Sequence, residues 1–313
     1  MQPSAHPRLA ALVARARERS AAHEPPRVGI VYPCDALALD AASCIIEAGI
    51  ARPVLIGPRD LIAKAGEAAG VDVHRFELVE TGDAAPEAAL CATSLAREGQ
   101  VAALMKGSLH TDELMSAIVN KATGLRGETR ISHAFVFDLP RYHKLLALAD
   151  CVVNIHPHLP AKRDILSNAI ALLKKLGIER PKVGIVAAVE TVNPAIAATL
   201  DAQALVELAR LGEWPGAIVE GPFGFDNAIS ADAARIKKIE GSVPGDADLL
   251  LMPDLNAGNM LYKSFNYIGG GDCAGLVLGA RVPIVLTSRA DSLQSRIASV
   301  ALAVLAASIP NAG

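Results

Sequence analysis

The chain is poor in aromatic residues, at 4% of 313. No apolar stretch free of charge reaches the ~18 residues of a membrane span. The apolar run at 297–309 falls short of that and has Arg296 at its start, so it reads as a buried helix. An excess of one charge is also missing. Thirty Lys and Arg face 33 Asp and Glu, interspersed, which leaves no basic face for nucleic acid. The five cysteines (Cys34, Cys44, Cys91, Cys151, Cys273) are odd in number and scattered. That spacing argues against a disulfide framework or structural zinc, and they read as small buried hydrophobes in a reducing cytoplasm. The amino terminus has arginines but neither the apolar segment nor the small-residue cleavage pattern of a secretory signal. Neither a GxGxxG fingerprint nor a Walker lysine loop occurs, and Gly269–Gly270–Gly271 follows a helical pattern rather than a strand. The commonest nucleotide-binding explanations are thereby removed.

What is present is alternation. Short β-branched runs at 27–32, 53–56, 75–79 and 101–105 read as strands, with helical periods at 36–48, 58–69 and 86–97 between them. Thr111–Asp112–Glu113 reads as a helix start, with a capping hydroxyl and acids near the positive end of the dipole. Residues 134–137 and 145–149 read as an antiparallel pair or an arm, since no helix separates them. Further strands are expected at 151–155, 182–187, 217–220, 249–252, 275–278 and 283–286, with helices at 162–176, 194–211, 231–238, 259–267 and 292–307. Repeated β–α alternation over this length predicts an α/β protein whose mainly parallel sheets are covered by helices on both faces. With no Gly/Ser linker, any two domains must share a tight interface.

Polar residues cluster directly after apolar runs, where open α/β sheets bind ligands. Pro253–Asp254, Gly258–Asn259 and Tyr262–Lys263 follow one run; Thr287–Ser288–Arg289 follows another. A hydroxyl beside a guanidinium, with an amide and an ammonium from a second loop, suits a phosphate-bearing anion. Lys106–Gly107 before Thr111 is either a ligand-approaching turn, since glycine lets the backbone come close, or a plain strand-to-helix turn. Ser132–His133 reads more readily as packed or capping than as an acid–base pair. His156-Pro157-His158 has no third ligand at familiar spacing, which argues against a metal. Asp226, in the glycine-punctuated loop at 220–228, either caps the helix near Ser230 or lines a cleft, and capping is the cheaper explanation.

Taken together and in order, Lys106–Gly107 with Thr111–Asp112, Ser132–His133, Gly221–Pro222 with Asp226–Asn227–Ala228, Pro253–Asp254, Gly258–Asn259 with Tyr262–Lys263, and Ser288–Arg289 resemble the phosphate acetyl/butyryltransferases over nearly the whole chain. The loops at 188–194 and 287–292 look more like the butyryltransferase branch. The resemblance implies the two-domain isocitrate/isopropylmalate dehydrogenase-like fold with an active-site cleft between domains, here expected as 1–138 with 290–313, and 139–289. It implies reversible transfer of a short acyl group between coenzyme A and inorganic phosphate, by direct thiolate attack on an acyl phosphate. Coenzyme A would be a substrate, with no tightly bound cofactor and no metal. The protein would be cytoplasmic and a homodimer or larger homo-oligomer, with no nucleic-acid or membrane partner. Ser288 would stabilise the oxyanion or leaving group and Arg289 would hold the phosphate. Lys106, Gly107, Thr111, Ser132, His133, Asp226, Asn259 and Lys263 would bind substrate. Two departures stand out: Ser295 occupies the place of an aspartate regarded as the thiol base in acetyltransferases, and Met115 that of a helix arginine. A dehydrogenase of the same fold would need clustered aspartates and an adenosine loop, and neither is seen. A non-catalytic acyl-CoA-binding or assembly module is the remaining alternative, against which the intact Ser288, Arg289, Asn259 and Lys263 argue.

Overall fold

In the structure, a computed structural model, residues 5–286 and 291–307 are described. Two compact units emerge. One is Leu9–Ile131 with the return of the chain from Ala274; the other is Ser132–Cys273 with the first residues through Arg8. The divisions therefore fall at 131/132 and 273/274, rather than at the expected 138/139 and 289/290. The reason is local: residues 132–138 form a strand whose antiparallel partner is residues 146–149, so the pair stays in one unit.

The amino-terminal run is α1 (Pro7–Ala22), β1 (Arg27–Val31), α2 (Ala36–Glu47), β2 (Arg52–Gly57), α3 (Arg59–Ala69), β3 (Glu77–Glu80), α4 (Ala85–Arg97), β4 (Ala103–Lys106) and α5 (Thr111–Ile118). In β1 every residue after Arg27 is buried, as a parallel strand covered on both faces requires. The β1 strand pairs in parallel with β2 on one side and with β4 on the other, Ile30 lying opposite Leu55 and Met105. The chain thus steps outward through β2 and β3 and then returns to the far side of β1, so the strand order reverses between β1 and β4.

The middle unit holds β5 (Ser132–Asp138), β6 (Leu146–Ala149), α6 (Leu159–Lys175), β7 (Lys182–Val186), α7 (Ala197–Arg210), β8 (Ile218–Phe223), α8 (Phe225–Ile229), α9 (Ala231–Ile236), β9 (Leu249–Leu251) and α10 (Leu255–Tyr267). Its strands run in the order β5-β6-β9-β7-β8. The β5–β6 pair is antiparallel, as expected, and β6–β9, β9–β7 and β7–β8 are parallel. Four of the scarce aromatics gather in this unit: Phe135 stacks on Tyr262 at 4.3 Å between centroids, and Phe137 meets Phe265 edge-on at 5.2 Å. Such contacts fix α10 against β5 beyond what buried area alone supplies.

Strand β10 (Asp272–Leu278) then carries the chain to β11 (Ile284–Val285) and α11 (Leu293–Ala306). The β11 strand joins β4 in parallel, Ile284 opposite Leu104. Val31, Val54, Leu104, Leu114, Ile118 and Ile284 belong to the core of this unit. Helix α11 is buried from Ala298 through Ala306, as its apolar sequence foretold. Among the described residues no helix is long and apolar enough to cross a membrane.

Three local expectations change. Residues 151–155 are not a strand, because the Asp150 carboxylate takes the Val152 and Val153 N–H groups at 2.8 and 2.9 Å and bends the chain. Thr111 is the first residue of α5 rather than its cap; the Glu113 carboxylate reaches back to the His110 N–H at 2.7 Å. Asp226 does not cap the helix after Ser230, since Ser230 does so itself by accepting from Ala233 N.

Candidate active site

Where β1, β4 and β11 end, the chain brings together one polar group. Gly107 donates its N–H to Val31 O at 2.9 Å, and a Cβ there would lie 2.5 Å from that oxygen and 2.6 Å from Tyr32 O. Only glycine fits so close an approach. The turn it permits sends the Ser108 hydroxyl onto Tyr32 O at 2.8 Å, where it also accepts from Cys34 N at 3.1 Å. Lys106 is half-buried and donates to Gly107 O and Leu109 O at 3.1 and 3.0 Å. Thr111 is exposed one turn along. Ser288 and Arg289 lie outside the described residues, between β11 and α11. Ser295 is buried in the first turn of α11, and Arg296 beside it is 6% exposed.

A second group belongs to the middle unit. Ser132 and His133 open β5 and are buried, as are Asp150 and Asn154. Asn168 of α6 donates to the Ser132 hydroxyl at 2.8 Å. The His133 ring packs on Phe135 at 4.4 Å and its Nδ1 has no partner. Burial lowers its pKa to about 4, and the nearby Asp150 carboxylate only partly opposes the shift. Neutral and enclosed, this ring is a packing and positioning element rather than a base near neutral pH. Asp254 caps α10 by accepting from Ala257 N at 3.0 Å. A Cβ on Gly258 would stand 2.5 Å from Asp150 O, so α10 presses its first turn onto that backbone. The press sets Asn259, whose amide donates to Cys151 O at 3.3 Å, and leaves Lys263 exposed one turn on.

A third set follows β7 and β8 of the same unit. The Lys237 ammonium bridges Glu190 and Asp226, the latter at 2.9 Å, and Asn227 donates to Glu190 at 2.7 Å. Hydrogen bonds from Lys237 hold both carboxyls below their usual range. Asp226 is thus an ion-paired surface carboxylate. Glu190 and Lys237, along with Asp150, Asn168 and Arg296, were not among the site residues the sequence pointed to. Their only sequence signal was a polar residue beside an apolar run, which many solvated residues share.

Four of the five thiols are poor nucleophiles. Burial pushes Cys34 up to about 11, raises Cys44 and Cys91, and raises Cys151 further still. His158 of the His-Pro-His segment caps α6, accepting from Ala161 N at 3.3 Å. Among the described residues no group of three or more His, Cys, Asp or Glu could hold a metal ion.

Known proteins resemble this chain in sequence and in fold. Residues 82–304 match the family described as phosphate acetyl/butaryl transferase. The phosphate acetyltransferase of Rhizobium meliloti is 48% identical over 97% of this chain and 94% of its own length. The phosphate butyryltransferase of Clostridium acetobutylicum is 37% identical over 91% of this chain and 94% of its own. The closer likeness to the butyryltransferase branch expected from two loops therefore does not extend to identity along the chain. The crystal structure of a branched-chain phosphotransacylase from Enterococcus faecalis V583 aligns with a TM-score of 0.80 at 28% identity, covering 90% of this chain and 98% of that one. The chain belongs to the phosphate acetyl/butaryl transferase family.

Proposed function

We propose that this protein reversibly transfers a short acyl group, acetyl to butyryl, between coenzyme A and inorganic phosphate. The observation that carries the reading is near-full-length similarity to proteins named for that activity, together with Lys106, Gly107 and Ser108 at strand ends suited to an anion. The coenzyme A sulfur, as thiolate, attacks the carbonyl carbon of the acyl phosphate. A carbon–sulfur bond forms, the bond from that carbon to the phosphate oxygen breaks, and phosphate leaves with the electron pair. Ser288 donates to the oxygen on which charge develops, and Arg289 binds the phosphate as a fork. Lys106 adds a second cation, while Asn259, Lys263, Asp226, Thr111 and the Ser132–His133 pair position the substrates. The nucleophile is the substrate's thiol, in keeping with the raised pKa of the protein's own buried cysteines. Coenzyme A acts as a substrate with no tightly bound cofactor, and the enzyme works in the cytoplasm as a homo-oligomer.

The reverse direction tests the reading. Acetyl-CoA or butyryl-CoA mixed with the enzyme should lose its thioester absorbance only when inorganic phosphate is present, with acyl phosphate as product. Thioester loss that is independent of phosphate would mark a hydrolase and sink the proposal.

A further inference from the structure

Two segments of the middle unit leave the carboxyl ends of neighbouring parallel strands, one after β6 and one after β9. Such ends are where α/β sheets bind ligands. The two segments are tied at several points. Met252 N donates to Ala149 O at 2.7 Å, and Leu255 N to Ile155 O at 3.0 Å. The Asn259 amide donates to Cys151 O at 3.3 Å. A Cβ on Gly258 would stand 2.5 Å from Asp150 O and 3.1 Å from Cys151 Cα. The first turn of α10 is therefore seated on the bend after β6, and the Asp150 carboxylate shapes that bend. We infer that Asp150 is a positioning residue, which through this bend sets Asn259 toward a phosphate-bearing substrate. The inference rests on the acyl-transfer reading above.

Three features support it. Asp150 is 3% exposed, and a carboxylate withdrawn that far from water needs its oxygens satisfied. One oxygen takes Val152 N and Val153 N, and the other takes His133 N and the Asn154 amide. Those bonds give the bend one shape. The second feature is the Asn259 amide, which has two N–H groups. Its bond to Cys151 O fixes the plane of the amide, so the second N–H points in one set direction. If Cys151 moves, that direction changes. The third feature is that both supports of α10 lead back to Asp150. Cys151, which holds Asn259, follows it directly in the chain. Phe135, on which Tyr262 stacks, lies two residues past His133, whose N–H the acid accepts. Asn259 and Lys263 are one turn apart on the same face of α10. A shift of that turn therefore moves an amide donor and a cation together, both suited to phosphate oxygens.

Calorimetric titration of the wild type, D150N, N259A and the double variant, with inorganic phosphate and with coenzyme A, tests the inference. D150N keeps the side-chain shape and one accepting oxygen, but its amide would face His133 N and the Asn154 amide, which are both donors. D150N and N259A should weaken the same ligand, each by roughly tenfold. The loss from D150N should shrink when Asn259 is already absent, because coupled residues do not add. The ligand that weakens, inorganic phosphate or coenzyme A, identifies the source of the phosphate. A purely structural acid would lower the unfolding midpoint yet leave the affinity of the folded protein unchanged. Three results would overturn the inference: folded D150N within two-fold of the wild type for both ligands, N259A that weakens neither, or a D150N loss undiminished beside N259A. Should circular dichroism show D150N unfolded, N154A carries the same comparison, since it removes one bond to Asp150 and leaves the backbone donors in place; the expected loss is roughly three- to tenfold. Binding is read without turnover, so failure of the transferase reading shows separately, as a wild type that binds phosphate or coenzyme A but forms no thioester.

Discussion

The Asp150 carboxylate accepts the His133 backbone N–H at 3.1 Å and the Asn154 side-chain amide at 2.7 Å, while its other oxygen holds Val152 N and Val153 N. One buried acid therefore ties the start of β5 to the bend after β6, and that bend carries the Cys151 carbonyl to which Asn259 is bound. Replacing Asp150 with alanine strands several buried donors at once. The expected loss is about 3 kcal/mol or more in unfolding free energy, read by denaturant titration. D150A as stable as the wild type would show that the bend holds itself.

Gly107 makes the second prediction. A methyl group would lie 2.5 Å from Val31 O and 2.6 Å from Tyr32 O, both backbone atoms, so the turn itself must move. G107A should cost roughly 1–3 kcal/mol and displace Lys106 and Ser108. KM for phosphate should rise more than KM for coenzyme A. Unchanged kinetics would show that this turn does not touch substrate.

His133 gives a pH dependence. Burial lowers its pKa from 6.5 to about 4, against a partial opposing pull from Asp150. The unfolded chain therefore binds a proton at higher pH than the folded one does. Folding is unaffected by this group above about pH 6.5 and is progressively weakened as pH falls from there toward 4. H133Q should unfold with a shallower pH slope across that window, measured by thermal melts at several pH values. Parallel slopes for the two proteins would contradict the assignment.

Asp246 behaves in a different window. Burial raises its pKa, but hydrogen bonds from Lys144, Lys182 and His143 outweigh that and hold it well below the usual carboxylate range. A depressed acid stabilises the fold above its unfolded value near 4, and the benefit fades as pH falls below that. Its side chain is 38% exposed, so D246N should cost only about 1 kcal/mol at pH 7. The gap from the wild type should begin to narrow below pH 4 and close only as the pH falls through the depressed folded-state value. A gap that does not narrow between pH 4 and pH 2 would mean the cost comes from packing.

The alternation of strand and helix was legible in the sequence because each element buries its own apolar face, and that pattern is local. The run Cys151–Val152–Val153 suits a strand by its β-branched residues, yet forms none. The preceding acid claims the N–H groups a ladder would use, and that bond is a property of the folded bend. Gly107 could be read, because a glycine directly after an apolar strand announces a close approach. Arg296 could not: Asp35 and Lys106, which line the same small pocket, come from distant parts of the chain. Asp226 pairs with Lys237 instead of capping a helix, and that pairing is a product of the folded loops.

The most direct test of acyl transfer is to mix the enzyme with coenzyme A and acetyl, propionyl or butyryl phosphate, and to follow thioester absorbance. The account predicts rapid thioester formation from at least one of these, and a fall of roughly 10²–10³ in kcat for S288A with its fold intact. No thioester from any short acyl phosphate would contradict it.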